Sequence, residues 1–134
     1  MNIIGIGTDI VECLRIARMI ERHDELFLNR VYTRHEIQYS SSRKAATQHY
    51  AGRWAAKEAC SKALGTGLRM GIAWRDMSVT NLSSGQPVME IRGWAKNRLD
   101  EMTPSDHEAV VHVSLTDDHP WAQAYVVIEA RPLA

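Results

Sequence analysis

A long alanine-rich segment in the middle of the chain sets the strictest limit on its architecture. The segment runs from Ala45 to Leu64 and is followed by Gly65 and Gly67. Alanine has the highest helix propensity of the amino acids, and a glycine just after the last turn is a common helix terminator. At about 1.5 Å per residue, the predicted helix is about 30 Å long. We therefore expect the other elements to pack around one central helix.

One face of the predicted helix carries only small residues, which allow another element to approach closely. This face consists of Gly52, Ala55, Ala56, Ala59 and Ala63. Glu58 and Lys62 lie beside it. The sequence therefore places a carboxylate and an amine at the border of a buried surface.

Hydrophobic periodicity predicts strands and further helices around the central helix. The predicted strands are Ile3–Ile10, Met77–Leu82, Pro87–Ile91, Ala109–Thr116 and Ala122–Ala130. The predicted helices are Leu14–His23 and Trp94–Met102, with helical turns over Glu25–Val31 and a capping box formed by Thr33 and Glu36. Residues 40–44 are predicted as a loop, and residues 83–85 and 117–120 as turns. Because no strand-helix-strand order repeats, we predict a single α+β domain over residues 1–134, with an antiparallel sheet packed against the central helix.

The charge balance and the cysteine content exclude several classes of protein. The 16 basic and 16 acidic residues give a net charge of zero, which argues against nucleic-acid or membrane binding over the whole surface. Cys13 and Cys60 show neither a paired motif nor zinc spacing. The first residues lack the features of a signal peptide, and no apolar run reaches the roughly 20 residues that a membrane span needs. We therefore expect a cytoplasmic protein.

The first predicted strand carries a carboxylate on an otherwise bare face. Gly5, Gly7 and Asp9 share this face, which would leave space in front of Asp9 for a hard cation and its waters. The alternative is a turn aspartate or a helix N-cap. A dinucleotide-binding motif is rejected, since Ile10 occupies the third glycine position and no second strand-helix unit follows.

The central helix offers a second carboxylate. Trp54, Glu58 and Lys62 are spaced by four residues and therefore lie along one helix face. Glu58 and Lys62 could form a surface ion pair. Alternatively, Glu58 and Asp9 converge on Mg²⁺, and Lys62 lies one turn away from Glu58 near a phosphate oxygen.

Three motifs resemble a known family. They are GIGTDIVE at residues 5–12, GRWAAKEACSKALGTG at 52–67 and HVSLTD at 112–117. Together, in this order and spacing, they resemble the holo-[acyl-carrier-protein] synthases, the small bacterial class of 4′-phosphopantetheinyl transferases, over nearly the whole chain. The resemblance implies transfer of phosphopantetheine from coenzyme A to a serine of apo acyl carrier protein, with adenosine 3′,5′-bisphosphate as the second product. Such a reaction belongs to fatty acid biosynthesis.

The resemblance also implies roles for individual residues. Asp9 and Glu58 match the Mg²⁺ ligands, and Lys62 matches a lysine near the transferred phosphate that is implicated in proton handling. Whether Glu58, Lys62 or a water on the metal accepts the serine proton is left open by the sequence. Residues matching the coenzyme A site are Arg53 and His112 at its border, and Gly85 and Pro87 near its adenine end.

The first predicted helix matches the surface that receives the carrier protein, with Arg15, Met19 and Arg22 as the matching residues. Independently of the resemblance, Arg15, Arg18 and Arg22 form a basic stripe that could steer an acidic partner or simply face solvent. Similar enzymes are homotrimers with active sites between subunits. His112 is then expected to serve a neighbouring subunit's Asp9 and Glu58.

Asp117 departs from the family pattern, in which many relatives have histidine at this position. Its negative charge either weakens a phosphate contact or lies outside the pocket. Two rival functions remain open at the level of sequence. One is a Mg²⁺-dependent nuclease, which the neutral net charge disfavours. The other is a trimeric module that binds coenzyme A or carrier protein without catalysing transfer.

Overall fold

The computed structural model describes residues 2–134 and has the predicted α+β architecture. Its strands are β1 (Asn2–Glu12), β2 (Met77–Asn81), β3 (Pro87–Ile91), β4 (His107–Asp118) and β5 (Trp121–Pro132). Its α-helices are α1 (Cys13–His23), α2 (Glu25–Val31), α3 (Arg34–Ser41), α4 (Ala46–Ala63) and α5 (Gly93–Met102). A short 3₁₀ turn, Trp74–Asp76, precedes β2 and had no signal in the sequence. Among residues 2–134, no helix is both long and apolar enough to cross a membrane.

The strands form two antiparallel sheets. The larger sheet has the order β1-β5-β4, and β2 pairs with β3 in a separate hairpin. The central helix α4 packs on the larger sheet, chiefly against β1 and β5. The prediction of an antiparallel sheet against a long central helix is therefore confirmed, with the difference that β2 and β3 form a sheet of their own.

The glycine face of β1 is where the chain brings strand and helix closest together. A Cβ at Gly7 would overlap the carbonyl oxygen of Ala59, and a Cβ at Gly5 would overlap that of Ala63. The small-residue face of α4 therefore does admit another backbone, as predicted. Any open space in front of Asp9 does not extend along Gly5 and Gly7, because the backbone of α4 packs against them.

Element boundaries differ from the predictions mainly at strand ends. Both β4 and β5 extend beyond the predicted ranges, so that Asp117 and Asp118 belong to β4 rather than to a turn. Helix α3 continues through Ser41, which shortens the predicted loop. The capping box of Thr33 and Glu36 forms as predicted, with the side chain of each residue bonded to the backbone N–H of the other.

The aromatic residues divide between the core and the surface. Trp54 is buried and stacks on Trp74, with ring centroids 4.3 Å apart. Trp94 and Trp121 are instead exposed in the single chain. Cys60 is fully buried and packs in the core, as its position on the helix indicated.

Candidate active site

Asp9 lies in the second half of β1, on the strand face that packs against α4. Because Gly5 and Gly7 on the same face bring the helix close, the side chain of Lys62 reaches the strand. The Nζ of Lys62 donates to Asp9 Oδ1 at 3.2 Å and to the carbonyl oxygen of Thr8 at 2.9 Å. Close packing of strand and helix thus brings a carboxylate and an amine into contact.

Glu58 is partly buried one turn before Lys62 on α4. Burial raises the pKa of the Glu58 carboxyl group, and the negative charge of Asp9 raises it further. The positive charges of Lys62 and Arg15 oppose this rise. The positive charge of Lys62, which contacts Asp9, therefore also acts on Glu58 one helical turn away.

Two alternatives left open by the sequence are wrong. Asp9 does not cap a helix, because it lies within β1 and Glu12 occupies the N-cap of α1. Lys62 pairs with Asp9 rather than with Glu58, so the proposed surface ion pair along the helix does not form. Both results favour a shared site over separate surface roles.

The donor set of this site fits Mg²⁺. Asp9 and Glu58 supply hard carboxylate oxygens, which Mg²⁺ prefers. No group of three or more His, Cys, Asp or Glu side chains suited to a metal ion occurs among residues 2–134. Mg²⁺ needs few protein ligands, since it retains several waters and takes further ligands from substrate phosphates. A divalent cation between the two carboxylates would also offset the repulsion that raises the Glu58 pKa.

A cavity of about 220 Å³ between α4 and the β2–β3 hairpin brings together three of the predicted coenzyme A residues. Arg53, Gly85 and Pro87 all line it. Asp117 lines the same cavity. Gly85 occupies the hairpin turn with φ of +93°, a conformation that glycine adopts without strain.

Arg53 is held rigidly at this cavity. It is buried, one of its terminal nitrogens donates to Asn81 Oδ1 at 2.8 Å, and its guanidinium lies 4.3 Å from the ring centroid of Tyr39. Burial lowers the pKa of Arg53, which stays far above neutrality as for any arginine. Tyr39 and Asn81 also line the cavity, and sequence reasoning missed both. The only sequence signal for Asn81 was its place just before the predicted hairpin turn.

Of the four residues predicted for the coenzyme A site, His112 is the one that a single chain does not bring to this cavity. Its neighbours Val111 and Val113 pack toward the core, so alternation along β4 places His112 on the sheet face away from α4. There its Nε2 lies 2.9 Å from Glu129 Oε1. Glu129 also accepts from Arg131 at 3.1 Å.

The predicted partner-binding residues lie on α1, next to the carboxylate pair. Arg15 and Arg22 are exposed, and the guanidinium of Arg15 lies 5.7 Å from the centroid of the Trp54 ring. Met19 is half-buried and lines a cavity of about 370 Å³ between α1 and α2. The exposed Leu26 of α2, which sequence reasoning missed, lines the same cavity.

Comparison with known proteins assigns the family. The family model described as the 4′-phosphopantetheinyl transferase superfamily matches residues 5–125. The holo-[acyl-carrier-protein] synthase of Ruegeria sp. (strain TM1040) is 65% identical over 131 residues, covering 98% of this chain and 92% of the relative. That of Roseobacter denitrificans is 66% identical, covering 98% of both chains.

Solved structures show the same fold. The holo-[acyl-carrier-protein] synthase from Neisseria meningitidis has a TM-score of 0.84 at 31% identity, covering 96% of this chain and 99% of that one. The enzyme from Bacillus anthracis, solved in complex with CoA (3′,5′-ADP), has a TM-score of 0.75 at 35% identity, covering 95% and 96%.

The chain belongs to the 4′-phosphopantetheinyl transferase superfamily, a class of enzymes. Within this class, its resemblance to the holo-[acyl-carrier-protein] synthases, indicated by three sequence motifs, is confirmed over nearly the whole chain. The alternative of a Mg²⁺-dependent nuclease is therefore wrong.

Proposed function

We propose that this chain transfers the 4′-phosphopantetheine group from coenzyme A to a serine of apo acyl carrier protein in a Mg²⁺-dependent reaction. Adenosine 3′,5′-bisphosphate is the second product. The observation that carries the proposal is the contact of the Lys62 ammonium with Asp9, which joins a helix to a strand far apart in sequence and lies one helical turn from Glu58. The names of the relatives and the coenzyme complex of a structural neighbour support it.

The carboxylates of Asp9 and Glu58 would hold the metal. Neutralisation of charge on the phosphate oxygens is the chemistry that a bound Mg²⁺ supplies. Lys62 adds a fixed positive charge beside Asp9, so a diphosphate at this site meets a cationic group from the protein itself. These side chains thereby orient the phosphate for attack.

The attacking serine must lose its proton during transfer. In this arrangement Lys62 is a donor, since its Nζ bonds to two oxygens, Asp9 Oδ1 and the carbonyl of Thr8. The pKa of Glu58 is raised in the metal-free protein, but a bound cation would lower it again, because the same carboxylate is proposed to hold the metal. Glu58 and a water on the metal are therefore both candidates for the proton acceptor.

The cavity lined by Arg53 is proposed to bind the nucleotide end of coenzyme A. Arginine is suited to phosphate because its guanidinium presents several donors in a fixed plane. The backbone at Gly85 is open, with no heavy atom within 4 Å of a Cβ built there, so a flat ring can approach the hairpin turn. Pro87 adds an apolar surface beside it.

Helix α1 is proposed to receive the carrier protein. Acyl carrier proteins are acidic, and Arg15, Arg18 and Arg22 are all exposed on this helix. Met19 and Leu26 line the adjoining cavity and offer an apolar contact once the partner is steered into place. The positive charge of Arg15 acts on the pKa of Glu58, so a partner bound to this helix would lie next to the carboxylate site.

We also propose a homotrimer assembled through the outer face of the larger sheet. Large apolar side chains are exposed on this face, among them Ile6 at 69%, Ile10 at 55% and Tyr125 at 51%. Ile6 and His112 lie in the same cross-strand row, on either side of Val127. Association through this face would remove the apolar side chains from water and would carry His112 to a neighbouring subunit.

Mass spectrometry of the carrier protein tests the proposed reaction. Apo acyl carrier protein, coenzyme A, Mg²⁺ and the enzyme should give a carrier whose serine has gained the phosphopantetheine mass. Omitting Mg²⁺ and adding a chelator should abolish the gain, as should Glu58→Gln. A complex that forms without any mass gain would instead identify a binding module.

A further inference from the structure

A fully enclosed ion pair joins α3 to α4, on residues that have no role in the proposed chemistry. The Nζ of Lys57 lies 2.7 Å from Oε1 of Glu36, and both side chains have no exposed surface. Burial lowers the pKa of the Lys57 ammonium, and Glu36 opposes this fall. Charged groups are rarely enclosed in this way unless every polar atom finds a partner.

The pair satisfies that condition through backbone groups of other elements. Besides Glu36, Lys57 donates to the carbonyl oxygens of Trp74, at 3.1 Å, and of Met77. All three ammonium donors are thus used. The Oε2 of Glu36 accepts from the N–H of Val79 at 2.9 Å. The pair therefore ties two helices to the 3₁₀ turn and to β2 with directional bonds.

Three of these elements, α3, α4 and β2, also form the wall of the cavity that is proposed to bind the nucleotide. Arg53 precedes Lys57 by one helical turn on α4, and Asn81 follows Val79 by two residues on β2. Arg53 and Asn81 are joined by a hydrogen bond of 2.8 Å. Tyr39, one turn after Glu36 on α3, packs on Arg53. A shift of β2 along α4 would therefore disturb both the bonds of the Glu36–Lys57 pair and the contacts of Arg53 at the cavity.

We propose that the Glu36–Lys57 pair is a positioning device that fixes the β2–β3 hairpin against α4 and so shapes the cavity lined by Arg53, Gly85 and Pro87. An apolar pair of the same volume would fill the space. It would not prevent β2 from sliding along α4, because hydrophobic contact is not directional. That the cavity binds coenzyme A rests on the proposed function. That the ion pair fixes the position of the hairpin does not depend on it.

The test is the double variant Glu36→Gln/Lys57→Met, which removes both charges together and nearly preserves volume. The KM for coenzyme A is expected to rise about 10-fold or more, while kcat at saturating coenzyme A stays within about 3-fold of the wild type. In the ligand-free protein, amide hydrogen exchange over residues 78–87 is expected to accelerate, with little change in β4 and β5.

A destabilised control separates positioning from a general loss of stability. Ile128→Ala removes a buried side chain from β5, in the other sheet, and should lower the melting temperature while leaving the KM for coenzyme A unchanged. The inference is overturned if the double variant raises this KM no more than the control does, or if exchange in the hairpin is unchanged. If wild-type enzyme transfers nothing, the proposed function fails, and hydrogen exchange still decides the inference.

Discussion

At the scale of single residues, the carboxylate pair has opposite effects on stability and on function. Asp9 and Glu58 repel each other in the metal-free protein, and burial adds to the cost of charging Glu58. A raised pKa in the folded state means that the ionised Glu58 costs stability as the pH rises through the folded pKa. Function requires the ionised form, since only carboxylates bind Mg²⁺ well.

Glu58→Gln is therefore expected to stabilise the metal-free protein at neutral pH. Solvent screening keeps the gain within about 1 kcal/mol, and transfer activity should fall about 100-fold or more. Thermal unfolding with and without Mg²⁺ checks both effects, because Mg²⁺ should raise the melting temperature of the wild type but not of the variant. At pH values below the ordinary pKa of a glutamate, the gain should disappear. A variant less stable than the wild type would contradict this account.

Asp117 is a residue whose charge opposes the proposed function. It lines the same cavity as Arg53, where the phosphate groups of coenzyme A are expected. Asp117→Asn should lower the KM for coenzyme A about 2- to 5-fold by removing a like charge, with a smaller effect at high salt. Glu108→Gln, on the same strand outside the cavity, is the matched control. An unchanged KM for Asp117→Asn would show that this carboxylate does not face the ligand.

At the scale of elements, the contact between β1 and α4 determines whether the site can form. Gly7→Ala places a methyl group against the carbonyl of Ala59, so strand and helix must separate. We expect a loss of about 3 kcal/mol or more in the free energy of unfolding, measured by urea denaturation. Gly52→Ala is the control, because its nearest new neighbour is a side-chain atom of Leu115 at 4.0 Å. It should be neutral or stabilise α4 by up to about 1 kcal/mol. Equal effects of the two variants would disprove the close-packing argument.

Sequence reasoning predicted most elements because their hydrophobic periods were clear, but it could not see what filled the space between them. The glycines of β1 were interpreted only as leaving space for a cation in front of Asp9, and the structure shows that they also let α4 pack closely. Lys57 was one of several charged residues on α4, and only the tertiary structure shows that Glu36 and two backbone carbonyls enclose it. Cross-element contacts of this kind leave no periodic signal. The pairing of Asp9 with Glu58 was one of two alternatives that side-chain chemistry offered, and the family resemblance favoured it.

Helix α1 is the element on which partner recognition is predicted to depend. Arg15→Glu/Arg22→Glu reverses two exposed charges and should raise the KM for acyl carrier protein about 10-fold or more. The KM for coenzyme A should change little, since neither arginine lines the Arg53 cavity. Arg69→Glu/Arg75→Glu, which reverses two exposed charges outside α1, controls for the change in net charge. Carrier-protein kinetics that match those of the wild type would remove this assignment.

At the scale of the whole molecule, one chain does not complete the proposed site. His112 lies on the outer face of the sheet, whereas Asp9 lies on the face that packs against α4 and contacts Lys62 there. Ile6→Asp/Tyr125→Asp places two charges on the exposed apolar face. By sedimentation velocity, we expect this variant to be a monomer of about 15 kDa where the wild type is about three times larger. A wild type that sediments as a monomer would contradict the assembly.

If His112 serves a neighbouring subunit, two inactive variants should restore each other. Glu58→Gln and His112→Ala should each lose most activity alone. In trimers reassembled from an equal mixture, about a quarter of the sites should combine an intact Glu58 from one chain with an intact His112 from the other, since each contributing chain is suitable half the time. Turnover of the mixture should therefore reach about a quarter of the wild-type value. Refolding each variant separately under identical conditions gives the baseline. A mixture no more active than this baseline would place every catalytic group of a site within one subunit.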